Sequence, residues 1–125
     1  MRTKLLTKDI RERLLRNGQL RQQLDEQGDS EADFLPVVKI FTPDAGCTWL
    51  LTELDPEDPD IAFGLCDLGV GCPELGSVRI SEIESVRGRL GLPAERDRFF
   101  TATKTLSAYA AEADKAGGIR TGGAP

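Results

Sequence analysis

The stretch CTWLLTELDPEDPDIAFGLCDL, Cys47 to Leu68, decides how this chain folds. Two runs rich in branched and aromatic residues, CTWLLTEL (Cys47–Leu54) and IAFGLCDL (Ile61–Leu68), flank the turn-forming connector Asp55-Pro56-Glu57-Asp58-Pro59-Asp60. Short apolar runs bounded by proline, glycine and aspartate read as strands, and a link this short joins antiparallel neighbours. Both alternating sets of CTWLLTEL contain apolar residues, so cover is expected on much of both faces.

Working outward, VVKIF (Val37–Phe41) precedes the pair across Pro43-Asp44-Ala45-Gly46, and SVRI (Ser77–Ile80) follows it across Gly69 to Gly76. The pattern predicts a three- to four-stranded antiparallel meander over residues 36–80. Upstream, Thr7 or Asp9 caps a helix whose stripe is Ile10, Leu14 and Leu15. Asn17-Gly18 interrupts it before Leu20 and Leu24 resume, giving one helix with a weak point or two short ones. Downstream, Ser81 with Glu84 reads as a capping box and Gly88 as a helix end. Pro93 then opens a second helical turn with Glu95 near its positive end, and Phe99 and Phe100 return to the core. Thr103 to Ala116 completes the set, with Leu106, Tyr109, Ala110 and Ala113 on one face. The expected architecture is α+β: an N-terminal helix, the meander sheet, and C-terminal helices packed on one face of that sheet. Residues 1–116 form a single domain (1–27 helical, 36–80 sheet, 81–116 helices) and 117–125 a flexible tail.

Composition removes several kinds of chemistry. The 125 residues include no histidine, so nucleophilic triads, general bases and metal sites built on imidazole are unavailable within the chain. Three cysteines leave one unpaired in any disulfide scheme, and Cys66 and Cys72 lack zinc-knuckle spacing. Cys47, Cys66 and Cys72 therefore read as reduced thiols in or near the core. No apolar run reaches membrane-spanning length, and the N-terminus carries charge where an export signal needs apolar residues, so a cytoplasmic protein is expected. The net charge of −5 is unevenly spread: residues 1–24 carry seven basic and two acidic residues, whereas residues 25–60 carry one basic and eleven acidic. A basic N-terminal helix could meet nucleic acid through Arg11, Arg13 and Arg16, but the adjoining acidic segment opposes a polyanion.

The blocks VVKIFTPDAGCTWLLTELDPEDPDIAFGLCDLG, PELG, SEIESVRG and LGLPAERD together resemble the bacterial family catalogued as domain of unknown function 2958, over roughly Pro36 to Tyr109 and more loosely over the N-terminal helix. The resemblance implies a small cytoplasmic accessory protein associated with plasmids, phages or other mobile DNA. Arg89 stands where the family pattern has proline, and Phe99 where it has histidine before the final aromatic. Loss of such a histidine would be tolerated better by a binding surface than by a proton-transfer site.

Two clusters are candidate sites. Glu53, Asp55, Glu57, Asp58 and Asp60 supply the oxygen ligands a divalent cation wants, as in metal-dependent nucleases, although calcium-loop spacing is absent. Arg87, Arg89, Glu95, Arg96 and Asp97 surround the Gly88–Pro93 corner, where arginine–carboxylate pairs would hold the chain or bind a phosphate or a partner's carboxylates. Trp49 and Tyr109, each the sole residue of its type, read as core anchors. The leading expectation is a non-catalytic protein that works through protein–protein contact, without a cofactor, and interferes with a host defence or regulatory complex. A metal-dependent hydrolase using the carboxylates is the alternative, and a nucleic-acid module using the basic helix is the third.

Overall fold

The computed structural model describes residues 5–29 and 32–121. Its elements are α1 (Lys8–Glu26), β1 (Val38–Phe41), β2 (Thr48–Asp55), β3 (Asp58–Asp67), β4 (Glu74–Arg79), α2 (Ile80–Ser85), β5 (Glu95–Arg96) and α3 (Leu106–Ala116). All strand pairs are antiparallel, in the order β4-β3-β2-β1-β5. The α+β architecture is the one the sequence predicts, with five strands instead of three to four. The extra strand is the two-residue β5, which pairs Arg96 with Ile40 and Glu95 with Phe41. It occupies the place where the Pro93 segment reads as a helical turn, because the ladder with β1 gives this backbone partners that an isolated turn lacks.

The proline-rich connector is shorter than its composition suggests. Asp55 already pairs with Asp58, leaving Pro56 and Glu57 at the tip. A register shift between Leu51 and Glu53 marks a bulge in β2.

The two faces of the sheet bury separate clusters. Val38, Ile40, Trp49, Leu51 and Ala62 pack with Leu14 of α1, Ile80 and Ile83 of α2, and Leu5, Leu6 and Ala94. Leu50 and Leu65 pack with Leu106, Tyr109 and Ala113 of α3 on the other side. The helices therefore do not share one face; α2 and α3 lie on opposite sides, since β2 and β3 present apolar residues both ways and each side needs cover. Trp49 and Tyr109 are both buried core residues, as expected.

α1 is one unbroken helix, capped by Thr7, whose hydroxyl accepts the Ile10 N–H. β1 pairs with β2 only as far as Leu51, and α1 takes over the edge beyond it. Asn17 donates its side-chain N–H to Thr52 O at 2.9 Å. Gly18 lies so close that an added Cβ would stand 1.8 Å from Leu54 O. The Asn17-Gly18 pair, a weak point by propensity, is the contact that closes an otherwise open strand edge.

Helix punctuation after the sheet also differs. α2 starts two residues earlier than the Ser81 box predicts: Glu82 reaches back to the Arg79 N–H, while Ser81 turns to Asp60. Gly88 ends no helix. It sits where a Cβ would meet the Asp44 carboxylate, and the Asp44 Oδ2 accepts the Leu90 N–H at 2.6 Å. α3 begins at Leu106, after Thr105. Of the predicted flexible tail, residues 117–121 are tied down: Asp67 accepts the Ile119 N–H at 2.9 Å, and Lys39 donates to Thr121 Oγ1 at 3.1 Å. Residues 1–4 and 122–125, parts of the expected helical region and tail, lie outside the described residues.

Candidate functional site

The carboxylate cluster of the β2–β3 region does not converge. Glu53, only 7% exposed, receives Nε and Nη2 of Arg21, both at 2.9 Å, and the Thr52 hydroxyl at 3.0 Å. That guanidinium also donates to Ala32 O and stacks 5.0 Å from the Phe34 ring centroid. The bond to Glu53, chiefly, raises the pKa of Arg21 further. Asp55 caps its own turn through the Glu57 N–H, and Glu57 is exposed at the tip. Asp58 and Asp60 share Arg79 at 3.2 and 3.5 Å. The Ser81 hydroxyl, first of all, and then its N–H hold the Asp60 carboxyl below its ordinary range. Among the described residues, no three carboxylates or thiols are placed to share a metal ion. These acids fasten α1, the β2–β3 turn and α2.

The arginine corner is likewise dispersed. Arg87 and Pro93 form an isolated bridge that closes the corner as a small hairpin, and the Arg87 guanidinium binds the Glu84 and Val86 carbonyls at the end of α2. Arg89 is exposed. Arg96 turns under the sheet edge to Leu5 O at 2.7 Å. Asp97 lies 3.6 Å from the Lys39 Nζ and accepts the Phe99 N–H, bending the chain away from β5. Arg87 and Asp97 thus bond to the end of α2 and to Lys39 respectively, and β5 sends the side chains of Glu95 and Arg96 to opposite faces.

That same bend builds a cleft. Residues 97–101 leave the sheet edge and cross toward α3, while residues 118–121 are held over β3 and β1 by Asp67 and Lys39. Between them, over Phe41 and Thr48, lies a space of about 780 Å³. Its walls carry Lys39, Glu95, Asp97 and Arg98, together with Phe99, Phe100 and the thiol-bearing Cys47. Phe100 is half-buried and tilts against Tyr109 with ring centroids 6.3 Å apart. Phe99 departs from the sequence expectation: it is 89% exposed, at the cleft rim.

Of the thiols, Cys47 and Cys66 are partly buried against the core, whereas Cys72 is exposed in the β3–β4 loop; all three are free. Burial, with a smaller contribution from Glu74, raises the Cys66 pKa and keeps that sulfur a poor nucleophile. Arg11, Arg13 and Arg16 all project from the exposed side of α1. Among the described residues, no helix is long and apolar enough to cross a membrane.

The family model described as protein of unknown function (DUF2958) matches residues 5–120. The chain belongs to that family. The DUF2958 match thus covers α1, the whole sheet and α3, well beyond the blocks that carry the resemblance in the sequence. Comparison with curated proteins and with solved structures found no similar chain.

Phe99 is the site residue that sequence reasoning missed. The available signal was Asp97 just before the Phe99-Phe100 doublet: an aspartate that accepts the N–H two residues on starts a turn, and here the Phe100 N–H also bonds to the Asp97 carbonyl, which puts Phe99 at the turn and Phe100 after it.

Proposed function

We propose that this DUF2958 chain is a non-catalytic binding protein that engages a protein partner at the sheet cleft, with Phe99 as its anchor. The observation that carries the reading is the 89% exposure of a phenyl ring at the rim of a cleft of about 780 Å³. Burying such a ring contributes roughly 1.5–3 kcal/mol, and aromatic anchors beside pockets dominate many protein interfaces. The dispersal of the acidic and arginine clusters into structural bonds supports binding over hydrolysis. A cytoplasmic setting and carriage on mobile DNA, which the family resemblance implies, belong to the same proposal, as does interference with a host complex, which fits the small acidic format.

The test is site-specific photo-crosslinking from position 99 in the native host, paired with capture by the Phe99→Asp variant. A partner crosslinked at position 99 in stoichiometric yield, and lost on Phe99→Asp while the thermal melt is unchanged, supports the reading. Equal recovery by wild type and variant, or no crosslinked partner in repeated trials, overturns it.

A further inference from the structure

On the other side of the 96–101 ridge, a second depression runs between this segment and the N-terminal half of α1. Two spaces compose it, of about 370 and 420 Å³, and Arg13, Val37 and Phe100 line both, so they form one trough. One bank is α1 from Ile10 to Asn17, and Val37 and Val38 also line the space. At a rise of about 1.5 Å per residue that bank is roughly 10 Å long, enough for about three extended residues, with the flanking ends adding one or two more.

Its charge runs against that of the chain. Arg13, Arg16 and Arg98 line the trough, and none of them forms an ion pair with a described residue. Asp97 is already offset by Lys39, which leaves Asp9 at one end as the opposing carboxylate. Apolar surface lies between the cations: Phe34, Phe100 and Leu35, the last 51% exposed. Leu35 lies outside the helices and strands, three residues before β1, and neither its N–H nor its C=O bonds to a described residue. A backbone with a free donor and a free acceptor is what an added peptide can pair with.

We propose that this trough binds an acidic, extended peptide segment that places an apolar side chain on Leu35 and Phe100 and carboxylates against Arg13, Arg16 and Arg98. Charge complementarity selects a carboxylate-bearing ligand. The free backbone favours a peptide over a nucleic acid, as does the net −5 of the chain, which repels a long polyanion. The inference deepens the binding reading by naming the chemistry of what is bound, but it stands on residues other than Phe99.

The experiment uses the full chain and a fluorescein-labelled Asp-Glu-Leu-Glu-Asp pentapeptide, read by fluorescence polarisation at low salt. Saturable binding is expected, weakened at least tenfold in the Arg13→Ala, Arg16→Ala double variant and at least fivefold in Leu35→Asp. A peptide with serine for the central leucine should bind at least fivefold more weakly, and a lysine-for-acid peptide not at all. Phe99→Asp should bind the pentapeptide as wild type does, so failure here and failure of the Phe99 reading are separable. No saturation up to millimolar peptide, unchanged affinity in the arginine variant, or tighter binding of a twelve-residue oligothymidine than of the pentapeptide overturns the proposal. Arg13, Arg16, Leu35 and Phe99 are all exposed, so loss of binding is checked against an unchanged melt.

Discussion

The Arg21–Glu53 pair joins residues 32 apart in sequence and locks α1 to β2, so its removal should be felt as a loss of stability. In Arg21→Ala the Glu53 carboxylate, 7% exposed, would keep only the Thr52 hydroxyl among the partners described. Removing one member of a buried pair typically costs about 3–5 kcal/mol. The Arg21 side chain retains 24% exposure, so water screens part of the interaction and the expected loss is near the lower end, about 3 kcal/mol. For a chain of this size that corresponds to a fall in Tm of roughly 9–15 °C. Urea unfolding followed by Trp49 fluorescence measures it, with the m-value showing whether the unfolded reference has moved. Replacing both partners with methionine should recover most of the loss, to within about 1 kcal/mol of wild type, because no charge is then left without a partner. A loss below about 1 kcal/mol for Arg21→Ala, or a double variant no better than the single, would refute the assignment of this pair as the clasp of α1.

Three further outcomes follow from the same geometry. Gly18→Ala should destabilise by about 2 kcal/mol or more in urea melts, although alanine raises helix propensity by about 1 kcal/mol, because its Cβ would collide with Leu54 O. Tyr109→Phe removes the hydroxyl that accepts the Thr103 N–H at 3.1 Å and should lower stability by about 1 kcal/mol in the same assay. At Asp33, desolvation disfavours the charge, but bonds from the Ser107 hydroxyl and N–H outweigh it, so the carboxyl titrates below its ordinary range. Its contribution is present above the unfolded value of about 3.9 and is lost as pH falls through the folded value; urea midpoints of wild type and Asp33→Asn should differ at pH 7, and the difference should shrink steadily as the solution is acidified below the unfolded value.

Much of the sheet was legible because strand signals are local. The apolar runs around Trp49 and Phe63 declare period and length by themselves, and Pro56 marks their turn. Punctuation was less legible. Ser81 and Glu84 satisfy the spacing of a capping box, yet Asp60, 21 residues away in the chain, takes the Ser81 hydroxyl and moves the helix start to Ile80. Pro93 and Glu95 suit a helix start as well as a strand edge, and the open side of β1 decided between them. The candidate sites were legible only as residue types. Glu53 and Asp97 look alike as exposed acids in a sequence, and only their partners Arg21 and Lys39 distinguish a buried clasp from a cleft wall.

By itself the sequence determined the chemical inventory and the strand-forming core: a chain without imidazole, with a two-faced apolar sheet and a basic first helix. Those properties depend on residue type and near-neighbour spacing. The tertiary structure decided that Asn17-Gly18 closes a strand edge, that the acids become fasteners, and that Phe99 and the Arg13–Arg16 trough stay open to solvent. Each of these depends on which distant group arrives to satisfy a carbonyl, a charge or an apolar face. Long-range packing makes that choice among locally equivalent alternatives.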